Sequence, residues 1–158
     1  MSAYKITIPF CPKSKASVHL GKNHWYNPSR QKMQETREYV KAQYNKEPLS
    51  GPLLLIIHYR IPLPAAYRSL RRQKYHNTPH EKKPDRDNLD KFLHDSLKGV
   101  LWEDDRQIVW SLISKTNSYS RIGETSIYLE ELTSDEKPDY EYLLNVMKRE
   151  MVLSDEFE

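Results

Sequence analysis

The run "PLLLIIHYRI", residues 52–61, constrains the fold of this chain more than any other segment. It is almost uninterrupted in apolar and β-branched side chains, and Gly51 and Pro62 close it at its two ends. A short run of this kind between turn residues predicts a central strand buried on both faces. It therefore fixes a sheet as the frame into which the other segments must fit.

Those segments carry weaker but readable patterns. "YKITIPF" (4–10) alternates and predicts a first strand, stopped by Pro12, and "KASVHLGKNHWYNP" predicts a hairpin turning at Gly21, Lys22 and Asn23. Asn27 as cap and Pro28 at the first helical position introduce a helix over 29–46, with Met33, Tyr39, Val40 and Tyr44 at helical spacing. Residues 62–84 hold four prolines and read as a long loop, with a short helix around Ser69 to Lys74. "DNLDKFLHDSLKG" places Leu89, Phe92, Leu93 and Leu97 on one stripe before Gly99, the clearest helix in the chain. "RQIVWSLISKT" and "ETSIYLEEL" predict two strands around a turn near Asn117 to Gly123, and a helix at about 137–151 closes the chain. The expectation is an α+β fold, mixed α/β in character: one domain over 1–158 with a single mixed sheet of about four strands and packed helices.

At 158 residues the chain suits one core. Its 11% aromatic content and apolar runs argue against disorder. A lone Cys11 excludes a disulfide framework and a multi-cysteine zinc site. No run reaches the length of a membrane span or resembles a secretory leader, so a cytoplasmic protein is expected. The net charge is only +3, but from Arg60 to Lys83 seven basic residues face the single acid Glu81. This stretch runs directly into an acidic cluster. Cations that hold backbone phosphates beside carboxylates that hold a metal are what phosphodiester chemistry requires, although a charge run is more often a solvated loop.

The acidic cluster, "KPDRDNLDKFLHDSLKGVLWEDD" (83–105), contains Asp85, Asp87, Asp90, Asp95, Glu103, Asp104 and Asp105. Asp87 is read as the N-cap of the helix, with Asp90 at its third position and Lys91 four residues on. Asp85, two residues earlier in extended chain after Pro84, then points to the same side as Asp87. Asp104 and Asp105 follow the helix, and spacing alone leaves open whether they approach Asp85. Three aspartates would suffice for a hard cation such as Mg²⁺. Capping and solvation explain Asp90, Asp95 and Glu103 adequately, whereas Asp85, Asp87 and Asp105, with Lys91, form the set a metal nuclease needs. An EF-hand starting at Asp85 fails at Leu89, Asp90 and Ser96, and His76 and His80 lack further zinc ligands. His80 is kept as a minor candidate for DNA contact. No glycine-rich phosphate loop and no serine- or cysteine-nucleophile motif is present.

The stretch "HEKKPDRDNLDKFLHDSLKGVLWEDDRQIV" (80–109) resembles the RusA-type Holliday junction resolvases and their phage-encoded relatives. It follows their pattern of Lys-Pro-Asp-x-Asp-Asn-Leu-x-Lys, a short helix, and Trp-x-Asp-Asp-x-Gln-Ile/Val. Weaker similarity in the first strand, in "NHWYNPS" and in "RIPLP" extends it over most of 4–131. The resemblance implies a homodimeric, Mg²⁺-dependent endonuclease, with Mn²⁺ as a substitute, that resolves four-way DNA junctions by paired nicks in recombination and repair. It implies metal binding by Asp85, Asp87 and Asp105, an accessory acid in Asp104, a catalytic Lys91, and a helix that meets the Asp104–Asp105 turn. Two departures stand out: the loop over 62–83 is long, and Asp90 occupies a position that is usually small, amide or apolar.

Arg68, Arg71, Arg72, Lys74, Lys82, Lys83 and Arg86 are the expected DNA-binding residues. Tyr67, Tyr75 and Trp102 could stack on opened bases, with packing the commoner fate, and Trp102 is expected to anchor the turn that aims Asp105. Two competing readings remain: a catalytically inactive branched-DNA-binding module of the same fold, and a protein whose acids only cap and solvate a helix.

Overall fold

The computed structural model describes residues 3–12, 19–20, 25–26, 29–67, 74–135 and 137–151. The apolar run at 52–61 supplies β4 (Leu53–Pro62), which lies inside a four-stranded sheet. Its neighbours are β6 (Glu124–Glu131), antiparallel, and β5 (Ile108–Ser118), parallel. The first strand, β1 (Ala3–Ile8), pairs antiparallel with β6, giving the order β1-β6-β4-β5. A mixed sheet of four strands is what the sequence predicted.

The near-continuous hydrophobicity of β4 follows from helices on both faces. Leu53, Leu55, Ile57, Tyr59 and Ile61 join one core cluster with Val40 of α1 (Arg30–Gln43) and with Leu89, Leu93 and Leu97 of α2 (Arg86–Leu97). Leu54 and Ile56 join a second cluster with Leu143 and Val146 of α3 (Tyr140–Met151). Alternate side chains of one strand thus serve two cores. On the α3 side the strand turns polar at His58, whose ring sits between the hydroxyls of Ser114 and Thr116. Burial and then the charge of Arg60 push this imidazole down to about 4.

Because β4 and β5 run parallel, the chain must cross back over the sheet between them, and α2 makes that crossover. The crossover sets where the ends of α2 lie. Its start is beside the C-terminal end of β5, and its end is beside the approach to β5, where Gly99 N donates to Trp102 O at 2.7 Å.

Several boundaries differ from expectation. α1 begins at Arg30 after Ser29, later than a cap at Asn27 requires, while Asn27 and Pro28 lie outside the described residues. The expected hairpin is present as β2 (His19–Leu20) and β3 (Trp25–Tyr26), paired antiparallel. β5 starts at Ile108 because Asp105–Gln107 form a 3-10 turn instead of strand. The proposed helix around Ser69 to Lys74 falls largely outside the described residues. Among the described residues, no helix is long and apolar enough to cross a membrane.

The β5–β6 connection depends on Gly123, which has φ +72 and whose missing Cβ would collide with Arg60 O and lie 2.9 Å from Pro62 Cδ. Both the backbone conformation and the space exclude a side chain. Gly123→Ala is expected to lower unfolding stability by about 1–3 kcal/mol, read as a reduced urea midpoint at unchanged m-value.

Candidate functional site

The start of α2 is built differently from the sequence expectation. Asp85, with extended backbone at φ −69 and ψ 144, is the N-cap, and Asp87 lies inside the first turn. The helix therefore begins two residues earlier than a cap at Asp87 implies. The same-side argument for two extended residues does not apply to this pair. The Asp85 side chain makes no capping hydrogen bond, although the Asp85 carbonyl accepts from Leu89 N at 3.2 Å. Its carboxylate stands uncommitted at the positive end of the helix. Asp87 lies 3.7 Å from Lys91 Nζ, both side chains 65% exposed, a loose ion pair worth little to stability.

A bracket of polar contacts holds the chain that leads into Asp85. Lys115 Nζ donates to Lys82 O at 3.0 Å and to Pro84 O at 2.9 Å. His80 bridges Asn117 Oδ1 at 2.7 Å and Lys83 O at 3.0 Å, while His76 Nδ1 accepts from Tyr119 N. His80 is thus committed to the frame. Lys115 and Asn117, both on β5, were missed as organisers. Their only trace in the sequence is a pair of polar long-reach residues, "KTN", at the end of an apolar strand.

The second acidic group is held rigidly. Trp102, fully buried, donates its indole N–H to Asp105 Oδ1 at 2.7 Å. This is the anchoring expected of it, and its burial rules out base stacking. Asp104 caps the 3-10 turn by accepting from Arg106 N at 3.0 Å, and Gln107 Oε1 accepts in return from Asp104 N at 2.7 Å. The Arg106 amide, with help from Lys98 at 3.4 Å, holds the Asp104 carboxyl below the usual range. Gln107 also donates to Leu49 O and Gly51 O, tying the turn to the start of β4.

Asp90 is neither a cap nor a solvated acid. It turns inward, accepts from the hydroxyl of Tyr59 at 2.9 Å, and lies 3.7 Å from Arg86. Burial raises its pKa, with the Tyr59 hydrogen bond opposing that rise. Tyr59, itself 0% exposed, provides this carboxylate with a partner from the sheet below.

The carboxylates thus form two groups. Asp85 and Asp87 stand at one end of α2, and Asp104 and Asp105 at the other, on a helix whose twelve residues span roughly 18 Å. Lys91 sits between the groups and pairs with the first. Among the described residues no group of three His, Cys, Asp or Glu side chains is placed to hold a metal ion. The all-oxygen chemistry of each group suits a hard cation. Asp85 and Asp87 are oxygen donors of the kind a hard divalent cation could use together with water and substrate phosphate. A site using all three of Asp85, Asp87 and Asp105 does not form within one chain.

Lys82, Lys83 and Arg86 are exposed around Asp85, and Lys74 is exposed with its ammonium 5.2 Å from the Tyr75 ring centroid. Arg68, Arg71 and Arg72 lie outside the described residues. Tyr67 and Tyr75 pack edge to face with centroids 5.7 Å apart, each 37% exposed.

An α+β sheet whose crossover helix opens on exposed aspartates and a basic rim is a scaffold for phosphodiester chemistry. Residues 8–130 match the family described as Endodeoxyribonuclease RusA, and the chain belongs to that family of nucleases. A search of curated proteins found no match.

The environment of Asp90 generates a pH prediction. Its carboxyl has a folded pKa above the unfolded value, so ionisation costs stability, and the cost fades as pH falls through the raised pKa. Asp90→Asn, which can still accept from Tyr59, is expected to raise Tm at pH 7, with the gain shrinking towards pH 4 in paired thermal melts.

Proposed function

We propose that this protein is a divalent-metal-dependent endonuclease that resolves four-way DNA junctions by paired nicks, acting as a homodimer in recombination and repair. The observation that carries this reading is the exposed Asp85–Asp87 pair at the positive end of α2, with Lys91 beside it and Lys82, Lys83 and Arg86 around it, in a chain of the RusA family. Magnesium suits the oxygen donors best, and manganese is accepted by the same ligands.

A divalent ion held by these carboxylates would polarise the scissile phosphate and lower the pKa of a bound water. The chain's own groups account for the rest. Lys82, Lys83 and Arg86 bind the phosphates flanking the cut and fix the strand across the end of α2. Lys91, held near Asp87 only by a loose pair, is available to neutralise charge that builds on the phosphate oxygens in the transition state.

Asp105 enters through a second copy. One chain keeps it a helix length from Asp85, so a site using Asp85, Asp87 and Asp105 takes Asp105 from a two-fold partner. Homodimer and metal site then become one proposal, and the two sites of a dimer match the near two-fold symmetry of a junction. The separation of the aspartates equally favours a second reading, a branched-DNA-binding module without cleavage.

Mixing experiments separate these readings. Asp85→Asn and Asp105→Asn are each expected to reduce Mg²⁺-dependent junction cleavage to background while binding survives. Co-refolded mixtures of the two variants should regain nicking, because each heterodimer rebuilds one intact site. Wild-type cleavage by Asp85→Asn would sink the metal assignment, and an inactive mixture would sink the shared site. A wild-type protein that binds junctions but cuts none with any divalent ion would establish the second reading.

The basic rim has its own readout. Lys82→Gln combined with Lys83→Gln should weaken binding to every DNA shape and reduce the slope of log affinity against log salt by about 2. An unchanged slope would place the phosphates elsewhere.

A further inference from the structure

The face of the sheet opposite α2 is apolar only where α3 covers it. Leu54 and Ile56 pack with Leu143 and Val146, but the next two positions of β4 on that face are His58 and Arg60. Their register partners on β6 are Ser126 and Glu124. These four residues line a cavity of about 320 Å³, and Lys5 of β1 and Glu150 in the last turn of α3 wall it further. The proposed cleavage chemistry does not use it.

The charges around this cavity are unevenly matched. Glu150 is met twice, by Lys5 Nζ at 3.0 Å and by Arg149 Nε at 2.8 Å. His58 offers neither charge nor a free nitrogen, because burial keeps its ring neutral and its two nitrogens face the hydroxyls of Ser114 and Thr116. Arg60 is left over. Its Nε is buried with no hydrogen-bond partner, and among the described residues its guanidinium forms no ion pair. Glu124, directly across the strand pair, accepts from the Ser126 hydroxyl at 3.1 Å instead of meeting Arg60. A buried donor without an acceptor is costly, and a bound ion is one of the standard explanations for it.

We propose that this cavity binds a phosphate group that still carries a proton, either inorganic phosphate or the end of a small phosphomonoester. Its bare oxygens meet the guanidinium of Arg60, a planar fork suited to phosphate, and its P–OH donates to the Glu124 carboxylate. An oxyanion that can only accept satisfies Arg60 but sets its oxygens against Glu124. Sulfate has the same shape and no proton, and the internal phosphodiesters of DNA have none either. The Arg60–Glu124 pair therefore selects by the proton, through repulsion of the wrong anion as much as attraction of the right one. Inorganic phosphate fills part of the cavity, and Ile56 and Tyr128 supply an apolar wall for the carbon body of a monoester. The inference does not rest on the nuclease reading.

The test is calorimetric titration of the full-length chain, without DNA, at about pH 6, where phosphomonoesters keep much of their second proton. Inorganic phosphate should bind saturably and at least about tenfold tighter than sulfate. Arg60→Gln should weaken phosphate by about tenfold or more, and Glu124→Gln, whose amide offers sulfate a donor, should bring the two anions within about twofold. Glycerol 3-phosphate separates the sources: tighter binding than inorganic phosphate assigns a monoester, and weaker binding assigns the free ion. Absence of saturable phosphate binding, or equal affinity for sulfate in the wild type, overturns the proposal. Binding that survives in Arg60→Gln but disappears when Lys82 and Lys83 are both replaced by Gln also overturns it, since the phosphate then sits on the DNA rim. If Arg60→Gln does not fold, nitrogen-15 spectra of the wild type decide. Phosphate must shift the Arg60 Nε–H and the Glu124 amide, and shifts confined to residues 82–86 overturn the assignment. None of these readouts uses cleavage, so their failure leaves the nuclease reading untouched.

Discussion

The parallel pairing of β4 with β5 is the constraint on which the rest of this structure depends. Two parallel neighbours cannot be joined by a hairpin, so the chain returns through α2, and the helix must run opposite to both strands. Everything chemical follows from that direction. The residues before α2 arrive at one end of the sheet and those after it at the other. Acids twenty residues apart in sequence are held apart by the helix between them.

The two acidic groups differ in how they are supported. Asp105 is locked by a buried indole, and Asp104 by a reciprocal cap, so this turn is a rigid presentation of two carboxylates. Asp85 and Asp87 are left free of such bonds, and the rigidity at their end lies one layer back, in the Lys115 and His80 bracket. A carboxylate that makes no capping bond keeps its lone pairs for a ligand. The inward turn of Asp90 serves the same division: it takes the Tyr59 hydroxyl and the Arg86 charge, and leaves the outer face of α2 to Asp87 and Lys91.

Family membership and geometry are complementary here. The match over residues 8–130 gives the class of chemistry, endonucleolytic cleavage of DNA, and the fold of one copy does not gather three carboxylates among the described residues into one group.

The strands, the helices and both halves of the acidic motif were legible in the sequence because each is a local pattern. Alternation, helical spacing and the double-faced hydrophobicity of β4 depend only on near neighbours in the chain, and so did the anchoring role of Trp102, three residues from Asp105. What local pattern could not supply were the contacts made across the fold. The start of α2 at Asp85 depended on how Lys115 and Asn117, about thirty positions away on β5, hold the preceding turn, the second of them through His80. Asp90 looked like a surface acid until β4 placed Tyr59 beneath it. Above all, the sequence by itself determined which carboxylates exist and on which elements they sit. Only the tertiary structure decided that they stand at opposite ends of one helix, because strand order and direction are set by long-range pairing that no window of residues contains.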